Sequence, residues 1–138
     1  MLSVVLTGIK EFENTLVELE KVTNTQDMLD QAGAYILFRI RERYLATEDP
    51  SGNQWPESQA ARRRAASGRD GRTGFDTGTL FNSISLGRSG LDRVVFTDVE
   101  YARDFQEGPP ERIFMETNFE DELGVQNILE DRIREVLQ

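Results

Sequence analysis

The chain has 138 residues, enough for one domain with a single hydrophobic core. It contains no cysteine and no histidine, which excludes disulfides, thiolate metal sites and the commonest general base. A net charge of −9 argues against nonspecific coating of nucleic acid by the chain as a whole.

Residues Met1 to Lys10 carry no basic leader ahead of their apolar positions, so they do not read as a signal peptide. No apolar run approaches the ~20 residues needed to cross a bilayer, so a soluble, cytoplasmically made protein without membrane contact is expected. Val5, Ile9, Phe12, Leu16, Leu19 and Val22 recur at helical spacing and predict a first amphipathic helix. Thr23, Asn24 and Thr25 interrupt that stripe and offer caps for a second helix over about Asp27 to Leu45. Leu29, Gly33, Ile36, Leu37, Ile40 and Tyr44 share one face of it, and Phe38 points nearly the opposite way. A helix apolar on two sides is covered on two sides. The first helix or a neighbouring subunit is expected to cover Phe38.

From Glu48 to Gly78 the periodicity fails. Asp49-Pro50-Ser51-Gly52 is turn chemistry. Gln59 to Ala66 has the composition for two helical turns, but Ser67 to Gly74 offers nothing to bury, so 48–78 is expected to be an extended loop. It holds Arg62, Arg63, Arg64, Arg69 and Arg72 with only Asp70 among them, while acidic residues crowd both ends of the chain. Leu80 to Arg88 then alternates, with Leu80, Ile84 and Leu86 on one face and Ser83 and Ser85 on the other. Val94 and Phe96 alternate with Arg93 and Thr97 after a turn at Arg88-Ser89-Gly90, which together predict an antiparallel hairpin. Tyr101 to Glu107 suits a short helix stopped by Gly108, with Pro109 and Pro110 blocking continuation. Ile113-Phe114-Met115 is a short apolar run. Thr117 with Glu120 matches a capping box, and Val125, Ile128, Leu129 and Val136 stripe a last helix whose start Gly124 is expected to delay. The single domain 1–138 is expected to divide into two helices (1–47), the loop (48–78), the hairpin with short segments (79–116) and a C-terminal helix (117–138).

Nothing in these segments assembles a catalytic set. The carboxylates Glu120, Asp121, Glu122, Glu130 and Asp131 lie along one helix and point in different directions, whereas a magnesium site needs convergence from separate elements. Gly68, Gly71 and Gly74 follow no strand and precede no phosphate-binding lysine. No metal, no cofactor and no enzymatic activity are expected. The arginines 62–64 admit three readings: a solvated helix face, a fork for a neighbour's carboxylates, or phosphate contact with DNA. Trp55 is either a core plug or an interface anchor.

Taken in order, Arg39-Ile40-Arg41 and Tyr44 lead into D-P-S-G-N-Q-W-P at 49–56 and the arginine-rich stretch. D-T-G-T-L at 76–80, Ser83-Ile84, a second strand ending near Thr97, Tyr101-Ala102, F-Q-E-G at 105–108 and P-E-R-I-F-M at 110–115 follow. This train resembles the phage virion morphogenesis or tail-completion family, the small neck proteins of tailed bacteriophages, over roughly residues 35 to 137. The resemblance implies an α+β subunit, a small antiparallel sheet flanked by N-terminal helices and a C-terminal helix. It implies a ring of such subunits in the virion neck, between connector or portal-side proteins and the tail, and carries no catalytic residues. Trp55, Arg62, Arg63, Arg64, Arg69, Arg72 and Phe38 are the assembly-interface candidates. Genomic DNA is expected to pass transiently near an acidic ring of this kind. The alternative is a small nucleic-acid-binding protein using the arginine-rich loop, and a metal-dependent hydrolase is a weaker rival.

Overall fold

The computed structural model describes residues 1–6 and 25–137. Among them, strands β1 (Leu2–Leu6), β2 (Ser85–Ser89) and β3 (Asp92–Thr97) form an antiparallel sheet in the order β1-β3-β2. Helices α1 (Thr25–Leu45), α2 (Gln59–Ala66), α3 (Thr79–Ser83), α4 (Ala102–Glu107) and α5 (Phe119–Leu137) accompany it, with α1 packed on the sheet, so the fold is α+β. No helix among the described residues is long and apolar enough to cross a membrane.

The hairpin pairs Ser85 with Phe96 and Ser89 with Asp92, as its alternation predicts. On the other side of β3, Leu2 faces Thr97 and Leu6 faces Arg93. Leu2–Leu6 is therefore a strand and not the first turn of a helix. Its short, β-branched run supplies the hydrogen-bond partner that an otherwise open edge of β3 requires. Val5 lies on the outer face of the sheet beside Val94, 42% exposed. The remainder of the expected helical stripe, Ile9 to Val22, lies outside the described residues, as do the caps Thr23 and Asn24 and any cover they give Phe38.

The period of β3 was legible, but its buried side is the polar one. Arg93, Val95 and Thr97 face α1 and are buried, while Val94 and Phe96 are half-buried on the other face. Arg93 is accommodated because its whole fork is satisfied. Its Nε donates to Asp30 Oδ1 at 2.8 Å, one terminal nitrogen to the carbonyls of Gly90 and Asp92, and the other to the backbone and side-chain oxygens of Gln26. Above it, α1 passes so close that a Cβ on Gly33 would sit 2.9 Å from Leu86 Cδ1 and 3.1 Å from Arg93 Cβ. Gly33→Val is expected to lift α1 from the sheet and cost about 1–3 kcal/mol by overpacking. Urea denaturation measures it, and a midpoint at or above wild type would contradict this packing.

The run expected as a strand from Leu80 begins as α3 instead. Gly78 takes a left-handed φ of 78°, Asn82 N donates to Gly78 O, and Ser83 Oγ donates to Leu80 O. The strand starts only at Ser85. α4 ends at Gly108 as its sequence predicts, and the Gly108–Pro109 and Pro109–Pro110 peptides are cis.

α5 starts one residue later than its capping signal suggested. Asn118 Oδ1 accepts from Asp121 N at 2.9 Å, and Asp121 Oδ2 accepts from Asn118 N at 3.2 Å. The reciprocal box is thus Asn118/Asp121 rather than Thr117/Glu120, because α1 draws the Asp121 carboxylate inward. The helix runs straight through Gly124, which faces the Tyr35 ring so closely that a Cβ there would overlap it. Beneath these elements Leu29, Ile36, Ile40, Tyr44, Ile84, Val95, Phe114 and Leu129 form a fully buried core.

Candidate functional site

The arginine-bearing insert is folded rather than extended. Asp49 Oδ1 accepts from the amides of Ser51 and Asn53, and Gly52 takes φ 86°, so 49–53 closes as a tight turn. Ser58 then caps α2 by accepting from Ala61 N at 3.0 Å. On this two-turn helix the consecutive arginines diverge by about 100° each, which separates their fates.

Arg64 turns inward and is 7% exposed. Its Nε donates to Asp70 O and its terminal nitrogen to Arg72 O, both at 2.8 Å. A buried guanidinium thereby folds Ser67 to Thr73 back over α2, the stretch whose sequence offered nothing to bury. Arg72 forks Asp70, with Nη2 to Oδ2 at 2.7 Å, and lies 4.0 Å from the centre of the Phe75 ring. The Arg72 hydrogen bonds hold the Asp70 carboxyl down at about 2. Arg62 pairs with Glu57 at 3.0 Å, and Arg69 approaches Asp76 at 3.9 Å. Arg63 is exposed and, among the described residues, has no carboxylate in ion-pair range.

Trp55 is a core plug and not a surface anchor. It is 7% exposed, its Nε1 donates to Ile113 O at 3.0 Å, and its ring meets Tyr44 and Phe105 edge-on. Of the residues expected at an interface, Trp55 and Arg64 are buried and Arg72 is turned to Asp70 and Phe75. Arg62, Arg63 and Arg69 stand on the surface. Phe38 is 60% exposed on the outer side of α1 and does not line this region.

Beside the insert lies a groove of about 500 Å³ between α2, the 74–80 segment and α4. Leu80, Tyr101 and Phe105 contribute apolar lining to it, and Arg64 and Arg112 contribute basic lining. It continues past Ala60 to Arg63 and Arg69. Arg112 is fixed by donating Nε to Pro56 O at 2.8 Å. The sequence reading missed Arg112, Tyr101 and Phe105 as site residues. They belong to the Y-A, F-Q-E-G and P-E-R-I-F motifs, and only folding brings those motifs opposite the arginines.

The hydroxyls of Thr77 and Thr79, at the groove's edge, hydrogen-bond each other at 2.7 Å. Among the described residues, no three His, Cys, Asp or Glu side chains are grouped so that they could hold a metal ion. With the Arg64 fork already taken by Asp70 O and Arg72 O, the Arg63, Arg69 and Arg112 guanidiniums beside an apolar lining are suited to carboxylates carried on an apolar surface. Compared with known proteins, the chain matches no family model, no curated protein and no solved structure.

Proposed function

We propose that the chain is a structural head–tail joining protein of a tailed bacteriophage, assembling as a ring in the virion neck between connector and tail. It acts by binding and not by catalysis. The single observation that carries this reading is that the motifs of the resemblance, scattered from residue 44 to 115, support one another in space. Trp55 donates to Ile113 O, Arg112 donates to Pro56 O, and Gln106 Oε1 accepts from the amides of Phe114 and Met115. Tyr44 Oη donates to Gly74 O at 2.8 Å within the same cluster. Such mutual dependence is what a recurring family framework needs, and it leaves Arg63 and Arg69 exposed for partners.

DNA binding through the insert has fewer groups to use than the count of arginines suggested. Two of the five guanidiniums are spent on the insert's own carbonyls and carboxylate, and Arg62 already holds Glu57.

Particles assembled without the chain should accumulate as filled heads and separate tails. Adding the purified protein should then join them, as scored in negative-stain images. Normal yields of joined particles in its absence would overturn the proposal.

A further inference from the structure

The basic-rimmed groove has a chemical counterpart elsewhere on the same chain. The first three turns of α5 expose Phe119 at 75% and Leu123 at 44%, four residues apart on one helix face. Glu122, Gln126 and Glu130 fall on that same face at helical spacing, and Gln126 Nε2 donates to Glu130 Oε1 at 3.0 Å. Residues 119–130 include no lysine or arginine. An acidic helix face carrying two large apolar side chains in solvent has the chemistry to dock against a basic surface with apolar lining.

The groove offers the complement of each part. Leu80, Tyr101 and Phe105 supply apolar lining for apolar side chains, and Tyr101 is 50% exposed. Arg63, Arg64, Arg69 and Arg112 line the groove and its continuation against the single carboxylate Asp76. The two surfaces share no residue. α5 starts against the 49–53 turn, where Asn118 Nδ2 donates to Pro50 O, whereas the groove lies between α2 and α4.

We propose that the groove receives the Phe119–Glu130 face of α5 from a second copy of this chain. Phe119 and Leu123 enter over Leu80, Tyr101 and Phe105, and Glu122 and Glu130 meet Arg63, Arg69 and Arg112. Because the two patches differ, the contact is head-to-tail, and repeating it propagates into a closed ring or an open filament. This deepens the ring reading above and rests on that reading only for closure.

Sedimentation velocity of the purified full chain over a concentration series tests it. The wild type should self-associate with concentration and less so as salt rises. Leu123→Glu should weaken association at least about tenfold. Arg63→Glu with Arg69→Glu should do the same, and adding Glu122→Arg and Glu130→Arg to that variant should restore it. All five positions are at the surface, and circular dichroism should stay unchanged. A wild type that is monomeric throughout, or association that ignores both surfaces, overturns the contact. The neck reading is scored on particles made without the chain, so it stands or falls separately.

Discussion

Asp121→Ala is expected to cost about 3–5 kcal/mol, the range for stranding one partner of a buried ion pair. The carboxylate is fully buried. Its Oδ1 accepts from Arg39 Nε at 2.8 Å and from an Arg43 terminal nitrogen at 3.0 Å, and its Oδ2 accepts from the other Arg43 nitrogen at 2.7 Å. The same residue closes the capping box with Asn118. Alanine therefore leaves the 6%-exposed Arg43 guanidinium without a counter-charge and removes the carboxylate half of the α5 capping box, while Asn118 Oδ1 still accepts from the backbone of residue 121. Chemical denaturation measures the loss, and a value below about 1 kcal/mol would show that the pair does not hold α1 to α5.

The same site sets an acid limit. Burial alone would raise the Asp121 carboxyl, but the hydrogen bonds from Arg43 and Arg39 outweigh it and hold it below the usual 3.8. Asp30 is lowered likewise, chiefly by its hydrogen bond from Arg88. A carboxyl depressed in the folded state stabilises fully above its unfolded value and loses that stabilisation as pH falls through the folded one. Melting temperature should accordingly drop as pH falls below about 4, and Asp121→Asn should flatten that drop. An equally steep acid limit in the variant would assign it to other groups.

Tyr44→Ala is the second large effect, about 3–5 kcal/mol by cavity formation. Tyr44 is fully buried, with ring centres of Trp55, Phe75, Phe81, Phe105 and Phe114 all between 5.1 and 6.1 Å away. Its removal takes out the hub on which the α1 end, the 49–56 turn, α4 and the 113–115 run converge. Tyr44→Phe keeps the ring and removes only the bond to Gly74 O, so a loss of about 1 kcal/mol is expected. Gly74 takes φ 89°, and a Cβ there would lie 2.8 Å from Tyr44 Oη. The insert is thus seated on the core at this point. Charge reversal at Arg63 and Arg69 probes the surface of the insert without disturbing that seat. Equal losses for the two Tyr44 variants would mean that the hydrogen bond, and not the ring, organises the cluster.

Much of the framework was legible residue by residue. The α1 stripe, the 49–52 turn, the two turns at Gln59–Ala66, the hairpin and the Gly108 stop all follow from local periodicity and turn chemistry, which act within a few residues. The misses share a different cause. Leu2–Leu6 pairs with a strand about 90 residues away, and nothing within five residues encodes a partner at that distance. Arg93 and Arg64 read as surface charges because their acceptors, in Gln26, Asp30, Asp70 and Arg72, become neighbours only after folding. Trp55 and Phe38 were ambiguous for the same reason.

By itself, then, the sequence determined the chemical vocabulary: no thiol or imidazole, acidic ends, a basic insert, and amphipathic elements of an α+β chain. Tertiary structure decided which arginines are available. Arg64, Arg43 and Arg93 became buried struts, Arg62, Arg63, Arg69 and Arg72 stayed outside, and Arg112 joined them beside an apolar groove lining. The physical reason is that a guanidinium enters the interior where carbonyls and carboxylates accept from most of its nitrogens, all of them at Arg93 and all but Nε at Arg43, and those acceptors are assembled from segments far apart in the chain.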